Sequence, residues 1–240
     1  MPGSIGKNAV FYQGGYDLTS YFREFDAADA GGDADTTPFG PTNDETSMPD
    51  GTRKGDATLG GFYVQVPVTE PIDATLRAAF QVDTPAAFGP LGDAIGLPLL
   101  LWIAQTKQYS VKHPLKGVIT TALKSVADGP KRTGQSLHAK ATRSSPYTGA
   151  TYDAGTAGEL ASGPWIAQIH ATAVTSNLTV LVETSADGST AWVTLTTFTA
   201  ITSAAVVGSE RKSGTAVVHR YRRIRVTAGA GTFAVGLATG

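Results

Sequence analysis

The chain has 240 residues, of which 19 are Lys or Arg and 20 are Asp or Glu, for a formal net charge of −1, and it contains no cysteine. That balance excludes a generally basic nucleic-acid binder, and the lack of thiols excludes disulfides, thiolate zinc sites and cysteine nucleophiles. Charged residues make up 16%, against roughly 25% in an ordinary domain, while Gly 28 and Pro 13 promise many turns.

At the N-terminus, MPGSIGKNAVF lacks the long apolar core of a secretion signal, so the chain is expected to be made and kept in a cytoplasm. Residues 16–22 (YDLTSYF) are aromatic and β-branched enough for a strand or a short turn into one. Residues 25–53 are dense in Asp, Gly, Thr and Pro, with few large apolar side chains, and read as a long loop. Residues 56–68 (DATLGGFYVQVPV) alternate around a glycine pair, and Pro67 demotes their end to an edge. A single helix is expected over residues 72–82, where Ile72, Leu76, Ala79 and Phe80 recur at helical spacing between Pro71 and Pro85.

The apolar run at 95–104 (IGLPLLLWIA) is about half a membrane span and carries a proline, so it reads as a buried strand and no membrane is expected as a partner. QYSVKHP, GVITTALKSV and QSLHAKAT follow as strand candidates, with a turn at 128–130 (DGP). Residues 144–163 are small and polar. They mark the expected boundary between a domain at 1–150 and a second β module at 158–240. In that module Trp165, Ile169, Ala171 and Ala173 alternate with Gln168, His170 and Thr172, and Leu178, Val180 and Val182 share one face. Residues 185–188 (SADG) form a tight turn before a returning strand at 192–198. In VVHRYRRIRV (217–226) the alternation changes phase, and a one-residue bulge near Arg222 and Arg223 would restore the core face. Phe233, Val235 and Leu237 make the last strand.

The neutral total hides segregated charge. Residues 17–56 hold ten acids (Asp17, Glu24, Asp26, Asp29, Asp33, Asp35, Asp44, Glu45, Asp50 and Asp56) against Arg23, Arg53 and Lys54, a net of −7. Residues 107–143 hold eight bases against Asp128, a net of +7. Residues 209–226 hold Arg211, Lys212, Arg220, Arg222, Arg223 and Arg225 against Glu210, a net of +5. Such blocks suit solvated faces, and equally a head-to-tail contact in which the acidic surface of one copy meets the basic surface of the next.

Catalytic signatures are missing. His113, His138, His170 and His219 stand singly, with no spacing that suggests a metal, and no nucleophile elbow or phosphate-cradling loop occurs. The acidic run from Asp26 to Asp35 ends without the terminal glutamate of a calcium loop and reads as an acidic solvated loop. No cofactor, no metal and no enzyme activity are therefore expected. SADGSTAW (185–192) is similar to a hairpin of sugar-binding jelly rolls. The same residues are also the ordinary sequence of a tight hairpin, with Trp192 in the core.

Taken in order, GGYDLTSYF, the acidic segment, KGDATLGGFYVQ, the helix, the apolar strand, QYSVKHPLKGVITTALKSVADGPKRTGQSLHA, GPWIAQIHATAV, SADGSTAWVTLTTFTA and RYRRIRV form one sequence type. From about Gly14 to Val235 the chain resembles the major tail proteins (tail tube proteins) of long-tailed, non-contractile bacteriophages. No single motif is diagnostic; order and spacing carry the resemblance. It implies a mainly β fold: a tail-tube-type β-sandwich or barrel with one flanking helix and a long loop, plus a C-terminal β-sandwich module. It implies a homo-oligomer of rings stacked into a tube, in contact with other tail proteins. Genome DNA would pass through the lumen without specific binding, and the subunit would reside in the virion tail after assembly in the host cytoplasm. On this reading Asp26, Asp29, Asp33, Asp35, Asp44 and Glu45 belong to a subunit-contact loop, and Arg211, Lys212, Arg220 and Arg222 are its basic complement. The alternatives are another virion component, such as a capsid decoration or tail-tip protein, and a carbohydrate-binding or adhesive β module.

Overall fold

A computed structural model describes residues 8–21, 24–35, 47–62, 82–112, 120–127, 131–205 and 207–239. The fold is mainly β. Among the described residues the strands are β1 (Val10–Gln13), β2 (Tyr16–Asp17), β3 (Glu24–Asp35), β4 (Ser47–Phe62), β5 (Asp83–Gly89), β6 (Pro98–Lys112), β7 (Thr120–Ala127), β8 (Arg132–Ser144), β9 (Tyr147–Thr148), β10 (Tyr152–Asp153), β11 (Leu160–Ser185), β12 (Val193–Thr197), β13 (Gly208–Val218) and β14 (Tyr221–Thr239). The helix expected over residues 72–82 lies, apart from Val82, outside the described residues. Among the described residues no helix is long and apolar enough to cross a membrane.

The chain divides into two compact units. One comprises Met1–Ser20, Thr84–Trp102 and Arg132–Gly240; the other comprises Tyr21–Asp83 and Ile103–Lys131. This partition differs from the division at 1–150 and 158–240 expected from composition. Its physical reason is strand pairing: β8, from the expected first domain, lies beside β14, from the second, with Thr142 opposite Thr232 and Gln135 opposite Leu237. The small, polar stretch at 144–163 carries β9 and β10, which both pair with β14.

In the first unit the strand order runs β12–β11–β14–β8–β6–β5–β1–β2, with β13 also on β11. Val218 at the end of β13 pairs with Leu160, while Tyr221 at the start of β14 pairs with Ser185, 25 positions further along β11. A straight strand would hold those partners roughly 80 Å apart, yet Val218 and Tyr221 are joined by two residues. β11 must therefore fold back on itself. The ladder with β14 shifts register repeatedly between Ala171 and Val180, which is where the bend lies. Gly229 sits at the same bend with φ +76°, and a Cβ there would fall 1.9 Å from the Asn177 carbonyl oxygen, so only glycine fits.

Two bent strands thus supply two facing sheets. Between them lies the principal core: Trp165, Ile169, Leu178, Val180, Val182, Phe198, Ile224, Val226, Phe233, Val235 and Leu237, with Leu137 from β8. The alternate residues of β14, Ala234 and Ala238, point the other way. They join Tyr12, Ala87, Leu99 and Leu101 in a second, smaller core. Over that face the Gln168 amide donates to the Trp102 carbonyl at 2.9 Å, and Tyr12 stacks on His170. β14 is thus buried on both of its faces.

The second unit is an antiparallel array in the order β3–β4–β7–β6, using residues 104–112 of β6. Leu59 stands opposite Phe25 on one side and Leu123 on the other, and Leu59 and Leu123 are both buried. The segment 25–53, expected as a loop, is over its described residues a pair of hairpin arms. Asp26 is opposite Thr58, Asp29 opposite Gly55 and Asp33 opposite Pro49. Ladder hydrogen bonds use main-chain groups alone, so an Asp-, Ala- and Gly-rich segment pairs without the apolar alternation that announces a strand.

Candidate subunit-contact surfaces

Four of the six acidic residues singled out in the sequence fall on this hairpin. Asp26, Asp29, Asp33 and Asp35 are on β3, and Asp26 is exposed. Asp44 and Glu45 lie outside the described residues.

The basic block is less available than its count suggests. Arg220, in the turn between β13 and β14, donates to both oxygens of Asp153 at 2.5 and 2.6 Å. Lys212 on β13 meets Glu210 at 2.7 Å, and Glu210 also accepts from the Thr199 main-chain N–H and hydroxyl. Arg211 precedes Lys212 on the strand and is half-buried. Arg222 cannot be a surface contact at all, because it is 1% exposed. Its guanidinium donates to the carbonyl oxygens of Gly158 and His219 and to Gln135 Oε1, and burial lowers its pKa. The cause lies in the turn. The expected bulged strand at 217–226 is two strands broken at His219 and Arg220, and this break sends Arg222, Ile224 and Val226 inward together.

Residues that the sequence did not bring together form a face on β11 and β14. Glu183, near the end of β11, has a side chain only 4% exposed and binds two guanidinium groups, Arg223 at 2.8 Å and Arg225 at 2.9 Å. Register puts Glu183 directly opposite Arg223. Arg223 lies 3.7 Å above the centroid of Trp192, and Arg220 lies 5.0 Å above that of Tyr221. Trp192, expected in the core, precedes β12 and is half-buried. The expected turn at 185–188 is present: Asp187 accepts from the main-chain N–H groups of Ser189 and Thr190, and Gly188 has φ +73°. Those hydrogen bonds, with the Thr190 hydroxyl first among them, hold the Asp187 carboxyl below the usual range. A carboxylate so engaged is a structural cap of the turn.

His138 and His170 are interior groups, whereas His219 is half-buried beside Glu159, and His113 lies outside the described residues. Arg143 Nε donates to His138 Nε2, and His138 Nδ1 lies 3.2 Å from the Phe233 carbonyl oxygen. Arginine can only donate, so Nε2 accepts and Nδ1 carries the proton. A third polar knot joins Tyr12 and the Lys140 main-chain N–H to Asp93, each at 2.7 Å, and Lys140 Nζ to Asp17. Burial opposes the Asp17 charge, but hydrogen bonds from Lys140 and Thr19 outweigh it and lower the pKa. No group of three or more His, Cys, Asp or Glu able to hold a metal occurs among the described residues.

No protein-family model matches the chain, and no curated protein matches it. Solved structures similar to it come from tail-bearing particles. They include the virion of a native gene transfer agent particle (12% identity, TM-score 0.40, 55% of this chain and 98% of that one). The SPP1 tail tube is similar at 8% identity and TM-score 0.40, over 55% of this chain and 78% of that one. SPP1 Dit, described as a hub adsorption apparatus in phages infecting Gram-positive hosts, is similar at 12% identity and TM-score 0.37, over 98% of this chain and 100% of that one.

Proposed function

We propose that this chain is a structural subunit of a phage tail that self-assembles into stacked rings, forming the tube through which genome DNA is delivered. The β3–β4 hairpin carries the reading. It is a long ordered arm with Glu24, Asp26, Asp29, Asp33 and Asp35 on one strand, a composition that gives a core little to bury. An arm of that kind finds its use against another molecule, and a second copy of a chain with separated acidic and basic blocks offers the complementary charge. The whole-chain resemblance in the order of sequence features supports the same assignment, as do the structural contacts that engage His138, His170, Asp93, Asp153, Asp187 and Glu183. Heterologous contacts of this type close into rings or run on as filaments. The subunit would work in the virion tail beside other tail proteins, after assembly in the host cytoplasm.

Negative-stain microscopy of the purified protein tests the proposal. Rings or hollow tubes are expected; a protein that stays monomeric at every concentration and salt examined would refute it.

A further inference from the structure

We propose that the face built by Trp192, Tyr221, Arg223 and Arg225 receives the acidic β3–β4 hairpin of a second copy of this chain. The inference rests on the self-assembly just proposed and names its contact.

Charge makes the first argument. Arg220 is neutralised by Asp153, but Arg223 and Arg225 share the single carboxylate of Glu183. One positive charge is left over. Arg222, buried on the other face of the same strand, binds carbonyl oxygens and an amide oxygen, and its charge is offset by Glu159, which follows its acceptor Gly158 and also acts on Arg220. The described arms of the hairpin carry Glu24, Asp26, Asp29, Asp33, Asp35, Asp50 and Asp56 against Arg53 and Lys54, a net of −5. Opposed potentials of this kind steer encounter and fix register.

Preorganisation makes the second. Arg223 is held between the Trp192 ring and a buried carboxylate, and its side chain is 21% exposed. Arg225 keeps one bond to Glu183 and is 44% exposed, so much of its donor fork faces water. Aromatic rings beside fixed guanidinium groups lose little side-chain freedom when a partner arrives, and Trp, Tyr and Arg dominate binding hot spots for that reason. The guanidinium fork also matches a carboxylate geometrically.

The test uses full-length protein. Arg225→Gln leaves Glu183 its bond to Arg223, and Trp192→Ala removes a ring that does not belong to the core. Each is expected to raise the concentration needed for assembly about tenfold, read by sedimentation and microscopy. Asp26→Lys with Asp29→Lys in the hairpin should do the same. An equimolar mixture of Arg225→Glu with that hairpin variant should form mixed contacts that neither variant forms alone. Should Arg225→Gln lose its circular dichroism signature, Trp192→Ala and the hairpin variant decide the matter. Face variants that assemble like the parent overturn the inference and leave the tube reading intact. Failure of the face variants with a hairpin variant that assembles normally shows another occupant and also overturns it. A parent protein that never assembles overturns the tube reading, and this contact with it.

Discussion

Tyr12 and His170 stack inside the first unit with ring centroids 5.7 Å apart, and burial keeps both uncharged. Burial raises the Tyr12 hydroxyl, with the hydrogen bond to Asp93 adding to it. The same burial depresses His170 from its ordinary 6.5 to about 3, and His138 to about 4, the latter with Arg143 opposing a second positive charge. An unfolded chain takes up these protons near pH 6.5, before the folded one can. The contribution of both histidines is therefore complete above about pH 6.5 and drains away as pH falls toward 4 and then 3. Melting temperature should decline across that window. His170→Gln should flatten the decline, while Asp17, whose pKa is lowered from 3.8, adds its own loss only as pH falls through about that value.

Trp165 is 7% exposed in the principal core, where a Cβ on Gly214 would sit 2.9 Å from its ring. Trp165→Ala should cost roughly 3–5 kcal/mol in urea unfolding. Gly214→Val should destabilise as well, by crowding the same ring from the neighbouring strand.

Two arginines two residues apart should behave oppositely. Arg222→Ala leaves the partly buried Gly158 and His219 carbonyls without their donor, at about 1–3 kcal/mol for each group that water cannot reach. Arg220→Ala breaks a solvent-exposed pair with Asp153 and should leave the unfolding midpoint almost unchanged. Equal effects from the two substitutions would contradict the burial of Arg222.

A fragment comprising residues 158–240 should fail to fold alone. It retains β11 to β14 but loses β8 from the open edge of β14, together with Leu137, Tyr12, Leu99 and Leu101 from the two cores. Dye binding and a poorly dispersed NMR spectrum are expected. A cooperative thermal transition in the fragment would restore the boundary drawn from composition.

Much of the strand content was legible because apolar alternation and turn chemistry are local. The apolar run around Leu101, the alternation of Val180 and Val182, and the Asp187–Gly188 turn all read directly from neighbouring residues. The hairpin was not legible, because its ladder depends on main-chain groups and its side chains carry no period. The phase change before Ile224 was visible, but a bulge and a two-residue turn produce the same shift. Which one occurs is decided by whether β11 bends, a property of distant partners. The arginine face was hidden for a related reason. Glu183 looks like the polar end of an apolar strand until register places Arg223 across from it.

The folding back of β11 has a dynamic consequence. Because one continuous backbone contributes to both facing sheets, neither sheet can be exposed while the other stays closed. Main-chain amides near Ile169 and near Val182 should therefore exchange with solvent through a common opening event, with matched protection and matched response to denaturant. A domain of two separately hydrogen-bonded sheets would show two classes. Here the whole sandwich should open once, as a single unit.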